Sequence, residues 1–282
     1  MKKIALINDL SGFGKCSLTA AIPVISVLGV QACPLPTAVL TGQTGFGTYY
    51  CDDYTDKMNH FTEQWSLMNE SFDGIYSGFL ASTEQIEKVN EFLDCFQTED
   101  NLFLADPVMG DHGVRFPMFN HQFLQAMREL TLRADVLTPN LTELCLLTDS
   151  DYTALTAHSQ ETDYLQQIQH ICQGLLTKAR RPQTIIVTGI LRERDDQTYI
   201  TNLAVSAHTC FPVETLYTGT SFSGTGDLFA STICGCLVKG LSLHEAMEKA
   251  AYFLQNAIED ATRENIPGNH GVPFEKYLGR LL

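Results

Sequence analysis

Basic residues are scarce in this sequence of 282 residues, which has 18 Lys and Arg against 33 Asp and Glu and a formal net charge of −15. Such an acidic chain is poorly suited to binding nucleic acid, because that binding depends on Lys and Arg contacts to phosphate. No apolar run reaches the roughly 20 residues that a membrane-spanning helix needs. We therefore expect no nucleic-acid partner and no membrane partner, and any anionic ligand must be captured by a local positive field.

The sequence also lacks the cysteine patterns of secreted or zinc-binding proteins. Its nine cysteines are scattered, odd in number and contain no Cys-x-x-Cys pair, a usage typical of a reducing compartment. Two lysines are followed by an apolar run of only four residues, Ile4–Ile7, which is too short for a secretory signal peptide. These absences predict a cytoplasmic protein without a Cys/His zinc site.

Strand patterns alternate with helix patterns along the chain, which is typical of an α/β protein whose mainly parallel sheet is covered on both faces. No linker or internal repeat interrupts the alternation, so we predict a single domain over residues 1–282. The predicted strands are Lys3–Asn8, Val30–Val39, Phe72–Ser77, Leu102–Ala105, Ala134–Leu137 and Thr184–Thr188, with an antiparallel pair at Thr198–Asn202 and Ala204–Phe211. The predicted helices include Ser17–Leu28, Asp52–Met68, one capped by Ser82 or Thr83 that runs to about Phe96, Phe119–Leu130, Leu141–Leu147 and Tyr164–Lys178. Two more follow, one opened by Gly224–Asp227 and one started by a capping box of Ser242 and Glu245.

Ligands of such sheets bind beyond the carboxyl ends of the strands, where this sequence concentrates its glycine and polar residues. The segment Ser11–Ser17 follows the first strand but is not a P-loop, because Asp9 and Cys16 stand where that motif needs Gly and Ser or Thr. For this segment a ligand contact and a plain turn both remain open.

The run from Gly224 to Asp227 opens an apolar helix near the C-terminus. Glycines let backbone N–H groups crowd around an anion, and a helix start adds partial positive charge. A carboxylate there repels phosphate, but it can take a proton from a hydroxyl that attacks phosphate. The pattern suggests phosphoryl transfer with Asp227 as the base, and the alternative is a simple helix cap.

Two further strand ends carry candidate metal or phosphate ligands. Asp106, followed by proline, could ligate Mg²⁺ or orient its water, or it could only cap a turn. Asn140 and Glu143 face the same way on a helical turn. They could present an amide and a carboxylate to a metal–phosphate group, and the alternative is a capping box.

Four segments, in this order, resemble the ribokinase-like vitamin kinases, and among these most of all the pyridoxal kinase branch. They are Asp106–Asp111, Thr138–Glu143, Val187–Gly189 and Gly224–Ala230, and the resemblance covers nearly the whole chain. It implies a three-layer α/β/α fold with a mainly parallel central sheet. It also implies phosphorylation by ATP of the 5′-hydroxymethyl group of a vitamin B6 compound, with Mg²⁺ and also K⁺ as cofactors, in a homodimer.

The resemblance also implies roles for individual residues. Asp227 is the base, and the anion hole is lined by Gly224, Thr225 and Gly226. Asp106 and Glu143 serve the metal. ATP is contacted by Asp111, Asn140, Thr188 and Gly189, whereas the vitamin is contacted by Asp9, Ser11 and Thr44.

The N-terminal part departs from the pyridoxal kinase pattern. Asp9 stands where the long-studied pyridoxal kinases carry a serine, and Asn8–Gly12 instead resembles the Asp-Pro-Ser-Gly stretch of hydroxymethylpyrimidine kinases. That family, however, often carries Cys where this chain has Asp227. A hydroxymethylpyrimidine kinase of thiamine synthesis and a non-catalytic vitamin-binding module therefore stay as alternatives.

Asp9 is expected to influence the choice of substrate. Its carboxylate would favour pyridoxamine, with its aminomethyl cation, or an aminopyrimidine over pyridoxal, because charge-assisted hydrogen bonds are strong. The alternative is that Asp9 only caps the turn formed by Ser11–Ser17.

Overall fold

The structure, a computed structural model, describes all 282 residues. As predicted, it has a three-layer α/β/α fold with a large, mainly parallel central sheet. The chain forms two compact units, of which the first contains Met1–Phe103 and Thr218–Leu282 and the second contains Leu104–Tyr217. The single domain stays a prediction.

None of the helices combines the length and the hydrophobicity that crossing a bilayer requires.

The elements alternate along the chain much as the sequence pattern predicts. The strands are β1 (Lys3–Ser11), β2 (Gln31–Leu40), β3 (Cys51–Asp53), β4 (Gly74–Ser77), β5 (Leu102–Ala105), β6 (Gly110–Asp111), β7 (Val114–Arg115), β8 (Val136–Leu137), β9 (Thr184–Arg194), β10 (Gln197–Val205) and β11 (Cys210–Leu216). The α-helices are α1 (Ser17–Val27), α2 (Thr55–Leu67), α3 (Thr83–Phe96), α4 (His121–Thr131), α5 (Leu141–Thr148), α6 (Tyr152–Thr156), α7 (Tyr164–Leu176), α8 (Thr225–Lys239) and α9 (Leu243–Arg263). Two 3₁₀ helices, Gly268–His270 and Phe274–Leu281, follow.

The first unit is built around β1, which pairs in parallel with β2 on one side and β4 on the other. Ile4–Ile7 are fully buried, as expected for a strand covered on both faces. The strand then continues with two buried polar residues, Asn8 and Asp9. Helix α8 packs against α1, where Gly235 permits a close approach because a Cβ there would lie 2.5 Å from Leu28 Cδ1. Strand β1 and helix α8 thus both belong to the first unit.

The second unit combines parallel and antiparallel pairing. Strand β8 pairs in parallel with β5 and with β9, and β10 pairs antiparallel with both β9 and β11. Strands β6 and β7 form a separate two-stranded hairpin.

The predicted antiparallel pair at Thr198–Asn202 and Ala204–Phe211 is wrong. One strand, β10, covers most of this region, and its antiparallel partners are β9 and β11. The pairing register shifts between Thr201 and Leu203, and the side chain of Asn202 turns inward at the irregularity. This bulge breaks the alternation of one strand, so the sequence pattern looks like two.

Two predicted boundaries also move. Strand β9 continues to Arg194, so Thr188 and Gly189 lie inside the strand and not at its end. The helix predicted to begin at Asp52 begins at Thr55, because Cys51–Asp53 pair with β2 as a short exposed strand. The carboxylate of Asp53 accepts a hydrogen bond from Thr55 N, the first helical residue, at 2.7 Å.

Candidate active site

The glycine-rich start of α8 has the geometry of an anion site. Gly224 has φ of 81°, and a Cβ there would lie 2.2 Å from the carbonyl oxygen of Lys15, so no larger residue fits. A Cβ at Gly226 would meet open space. The first N–H groups of a helix have no partner within the helix, so those of Thr225, Gly226 and Asp227 can bind an anion.

Asp227, in the first turn of α8, is half-buried and is held by donors from two strands. Asn8 Nδ2 donates to its Oδ1 at 3.0 Å, and Tyr76 OH donates to the same oxygen at 3.5 Å. Burial raises the pKa of Asp227 to about 6, and the charge of Asp9 adds to the rise, while hydrogen bonds from Ser17 N–H, Asn8 and Tyr76 oppose it. At pH 7 the group is therefore mostly a carboxylate whose pKa suits general-base catalysis.

Sequence reasoning missed the three residues that support Asp227, namely Asn8, Ser17 and Tyr76. Ser17 has φ of 52°, a conformation that costs a non-glycine residue on the order of 1–3 kcal/mol and that tends to occur at functional sites. The segment Ser11–Ser17, for which the sequence left a ligand contact or a plain turn open, thus also presents a backbone N–H to the proposed base. Asn8 gave a usable signal, since it is an amide directly after the apolar run Ile4–Ile7, but Tyr76 gave none.

The predicted vitamin-contacting residues divide into an interior pair and an exposed residue. Ser11 Oγ donates to Asp9 Oδ2 at 2.7 Å, and the hydroxyl of Ser17 also bonds this carboxylate. Burial raises the pKa of Asp9, and these hydrogen bonds oppose the rise. Thr44 is exposed in the loop after β2. The adjacent Gln43, which was not predicted, is buried and ties this loop to the C-terminal segment through a hydrogen bond from Nε2 to the carbonyl oxygen of Asn269 at 3.0 Å.

In the second unit, Glu143 and Asn140 form the capping box that was the alternative to a metal role. Asn140 Oδ1 accepts from Glu143 N at 2.9 Å, and Glu143 Oε2 accepts from Asn140 N at 2.8 Å. Glu143 Oε1 also accepts from Met109 N at 3.2 Å. Both oxygens of this carboxylate are therefore held by backbone N–H groups.

The capping role does not exclude a second role for the Glu143 carboxyl group. Its side chain is buried, and burial raises its pKa well above the ordinary value, with repulsion from Asp106 as the next cause. Asp106 is buried as well and accepts a hydrogen bond from Thr138 Oγ1 at 3.0 Å. A divalent cation would relieve this repulsion.

The donor set around Asp106 and Glu143 fits Mg²⁺. No group of three or more His, Cys, Asp or Glu side chains is arranged to hold a metal ion. Mg²⁺ usually takes only one or two carboxylates and fills its other positions with water and substrate phosphate oxygens. Two buried carboxylates are therefore the protein contribution that such a site requires.

The residues predicted to contact ATP lie near this pair within the second unit. Asn140 Nδ2 donates to the carbonyl oxygen of Gly110 at 2.9 Å. This bond ties the β6–β7 hairpin, which carries the exposed Asp111, to the start of α5. Thr188 N donates to Pro139 O at 2.9 Å, and Thr188 pairs with Asn140 in an isolated parallel β-bridge.

Gly189 is less available to a phosphate than expected. Its N–H already donates to Asn202 Oδ1 at 3.2 Å. A nucleotide contact at this position would therefore need other atoms than the amide.

The comparisons with known proteins identify the family of this chain. A family model described as phosphomethylpyrimidine kinase matches residues 14–272. A Bacteroides thetaiotaomicron protein provisionally assigned as a phosphomethylpyrimidine kinase, solved in a crystal form with pyridoxal, is similar, with 36% identity, a TM-score of 0.90, and coverage of 99% of this chain and 95% of that chain. The pyridoxal kinase of Lactobacillus plantarum has 25% identity and a TM-score of 0.87, and the match covers 100% of this chain and 97% of that one. A hydroxymethylpyrimidine/phosphomethylpyrimidine kinase of Bacillus subtilis is 25% identical over 274 residues, 96% of this chain and 93% of its own.

Proposed function

This chain belongs to the phosphomethylpyrimidine kinase family, within the ribokinase-like vitamin kinases, and from that premise we propose that it phosphorylates the 5′-hydroxymethyl group of pyridoxal, pyridoxamine or pyridoxine with ATP. The observation that carries the proposal is Asp227, a carboxylate with a pKa of about 6 at the start of a glycine-opened helix. The resemblance to the vitamin kinases further supports the proposals of Mg²⁺ and K⁺ as cofactors and of a cytoplasmic homodimer.

The residues of the first unit account for activation of the acceptor. Asp227 takes the proton of the substrate hydroxyl as the oxygen forms its bond to the γ-phosphorus, and the bond from that phosphorus to the β–γ bridging oxygen breaks to release ADP. The N–H groups of Thr225, Gly226 and Asp227 stabilise negative charge on the transferring group. Gly224 is needed because only glycine permits the chain to enter the helix in this conformation.

The residues of the second unit account for the nucleotide and its metal. Asp106 and Glu143 would hold Mg²⁺, which when bound neutralises charge on the phosphates of ATP. Asn140 maintains the start of α5 and the β6–β7 hairpin, and we assign Asp111 and Thr188 to the nucleotide phosphates.

A hydroxymethylpyrimidine kinase is the second candidate, because the matching family model and the Bacillus subtilis relative carry that description. Both substrates present a primary hydroxymethyl group on a nitrogen heterocycle, so the base chemistry is the same for both. Vitamin B6 is favoured by the crystal form with pyridoxal of the relative that is 36% identical. Aspartate at position 227, where hydroxymethylpyrimidine kinases often carry Cys, points the same way.

The test is turnover of ATP with pyridoxal, pyridoxamine, pyridoxine and hydroxymethylpyrimidine in parallel, with ADP and the phosphorylated product both measured. We expect the highest kcat/KM for a B6 compound. Asp227→Asn should abolish most turnover, whereas Asp56→Asn, on the exposed face of α2, is the matched control that should not. A higher kcat/KM for hydroxymethylpyrimidine would establish the second candidate, and binding of a vitamin without ADP release would indicate a non-catalytic module.

A further inference from the structure

Asn8 is a fully buried amide in β1 whose orientation is set by three hydrogen bonds. Its Oδ1 accepts from the backbone N–H groups of Asp9 at 3.0 Å and Phe79 at 2.9 Å. Because backbone N–H groups can only donate, the oxygen must face them and the nitrogen must face Asp227. The backbone N–H groups of Asp9 and Phe79, in two separate segments, therefore fix the amide that donates to Asp227 at 3.0 Å.

Gly78 shows that space is reserved for this amide. A Cβ at position 78 would lie 2.2 Å from Asn8 Nδ2 and 2.6 Å from its Cγ, far inside contact distance. The backbone of Gly78 is itself held by a hydrogen bond from its N–H to the carbonyl oxygen of Ile7. The amide thus occupies a closely fitted position and has no room to rotate away from Asp227.

We propose that Asn8 is a positioning residue for phosphoryl transfer, which holds Asp227 by its Oδ1 and so directs Oδ2 to the acceptor hydroxyl. This inference rests on the proposed kinase function. Tyr76, the other side-chain donor, also contacts Oδ1, so both side-chain donors hold the same oxygen. An amide suits this role because it donates a hydrogen bond but does not titrate in the working range, so it never competes for the proton.

The groups around Asp227 make the hydrogen bond from the Asn8 amide important for its pKa. The titratable groups that face it are Asp9 from β1, Tyr76 from β4 and the thiol of Cys16 before α1, and none of these is a cation. Hydrogen bonds are therefore what oppose the effect of burial on its pKa. Removing the amide donor should raise the pKa of Asp227 and move the pH at which the enzyme becomes active.

Asn8→Asp tests the role with little change of shape. It keeps an oxygen for the N–H groups of Asp9 and Phe79, but it places a second oxygen against Asp227. We expect the acid limb of kcat against pH to move up by about one to two units from about 6, so that kcat at pH 7 falls by about two- to tenfold and recovers at pH 9. KM for the vitamin should change by less than about threefold, because the amide contacts the base and not the ring.

Asn101→Asp is the matched control. Asn101 is another buried amide of the first unit, and its Nδ2 donates to the carbonyl oxygens of Phe72 and Phe96. Its substitution should lower thermal stability and leave the acid limb where it is. If Asn8→Asp does not fold, Gly78→Ala replaces it, because the added Cβ displaces the amide and should shift the limb in the same direction.

A direct titration separates this inference from the proposed function. In protein labelled with ¹³C at the aspartate carboxyl carbons, the Asp227 signal is identified by its loss in Asp227→Asn, and its midpoint is followed with pH. If the wild type phosphorylates none of the four substrates, the proposed function fails, yet a higher midpoint in Asn8→Asp still supports the contact that positions Asp227. An unchanged midpoint, or a loss of kcat that is equal at every pH, would overturn the role of Asn8.

Discussion

Two carboxylate sites of this kinase, one at Asp227 and one at Glu143 beside Asp106, are held in different ways. In the first unit, Asp227 receives hydrogen bonds from the side chains of Asn8 and Tyr76 and from the backbone N–H of Ser17. In the second, Glu143 is held on both oxygens by the backbone N–H groups of Asn140 and Met109, beside the second carboxylate of Asp106. Burial raises the pKa of both carboxyl groups: Asp227, surrounded by hydrogen-bond donors, is left with a pKa of about 6 that suits the proposed base, whereas Glu143 faces a second carboxyl group, whose repulsion a cation would relieve.

The comparison predicts its largest effect at Asp227. We expect Asp227→Asn to lower kcat by about 10²–10⁴, the usual contribution of a general base, with little change in nucleotide binding. A near-normal kcat in a correctly folded variant would exclude the base role.

The same substitution should stabilise the protein near neutral pH. The pKa of Asp227 is raised in the folded state from 3.8 to about 6, so the folded state binds more protons and stability falls as pH rises through this window. Above pH 6, the ionised group lowers the free energy of unfolding by about 3 kcal/mol, since one pKa unit corresponds to about 1.4 kcal/mol. Urea unfolding should show Asp227→Asn to be more stable than the wild type at pH 7.5 and no more stable at pH 3.5, and equal stability at pH 7.5 would contradict the cost of burial.

The pair of Asp106 and Glu143 should respond to metal. We expect Glu143→Gln and Asp106→Asn to raise by about tenfold the Mg²⁺ concentration that gives half-maximal rate, the lower end of effects seen when a partner of a metal site is lost. Mg²⁺ should also raise the Tm of the wild type more than that of either variant, because a ligand stabilises the state that binds it. Unchanged Mg²⁺ curves would reduce Glu143 to its capping role.

The capping box makes Glu143→Gln a harsher change than the sequence suggests. Glutamine can also close a capping box, but here both carboxylate oxygens accept N–H groups, and glutamine offers only one oxygen. Its amide nitrogen would face a donor. Thermal unfolding of both variants without Mg²⁺ therefore serves as the control for lost stability.

The smallest effect is expected at Asp9. Its carboxylate bonds the hydroxyls of Ser11 and Ser17 inside the turn, which supports the capping alternative over a contact with the vitamin amine. Asp9→Ser should therefore lower Tm and reduce kcat/KM for pyridoxal and pyridoxamine by similar factors. A selective loss for pyridoxamine of about 1.5–3 kcal/mol, the worth of a hydrogen bond to a charged group, would restore the role in selectivity.

Local signals were predictable from sequence, and contacts between distant segments were not. The capping box at Ser242 follows from Ser242 and Glu245, three residues apart, and it is confirmed. For α3 the sequence left Ser82 or Thr83 as the cap, and the structure selects Ser82. The bulge at Asn202 misled the strand assignment, because a register shift breaks the alternation on which strand prediction depends.

At the candidate site, the sequence singled out three acids but not the groups that hold them. Asp227, Asp106 and Glu143 follow recognisable turns and strand ends. Tyr76 resembles any core aromatic residue in an apolar strand, and the left-handed conformation of Ser17 has no sequence signature at a serine. Their roles arise only from tertiary packing.

The hydrogen bond between Asn8 and Asp227 joins residues 219 positions apart, and this separation has a consequence for biosynthesis. At roughly 5–20 residues per second, a ribosome needs on the order of 10–40 s after making Asn8 to make its partner. All of Leu104–Tyr217 is translated in that interval, so the proposed nucleotide-binding residues exist before the base does. A nascent chain can therefore complete its second unit, with the proposed nucleotide ligands, but it gains the proposed base only when its last fifth is made.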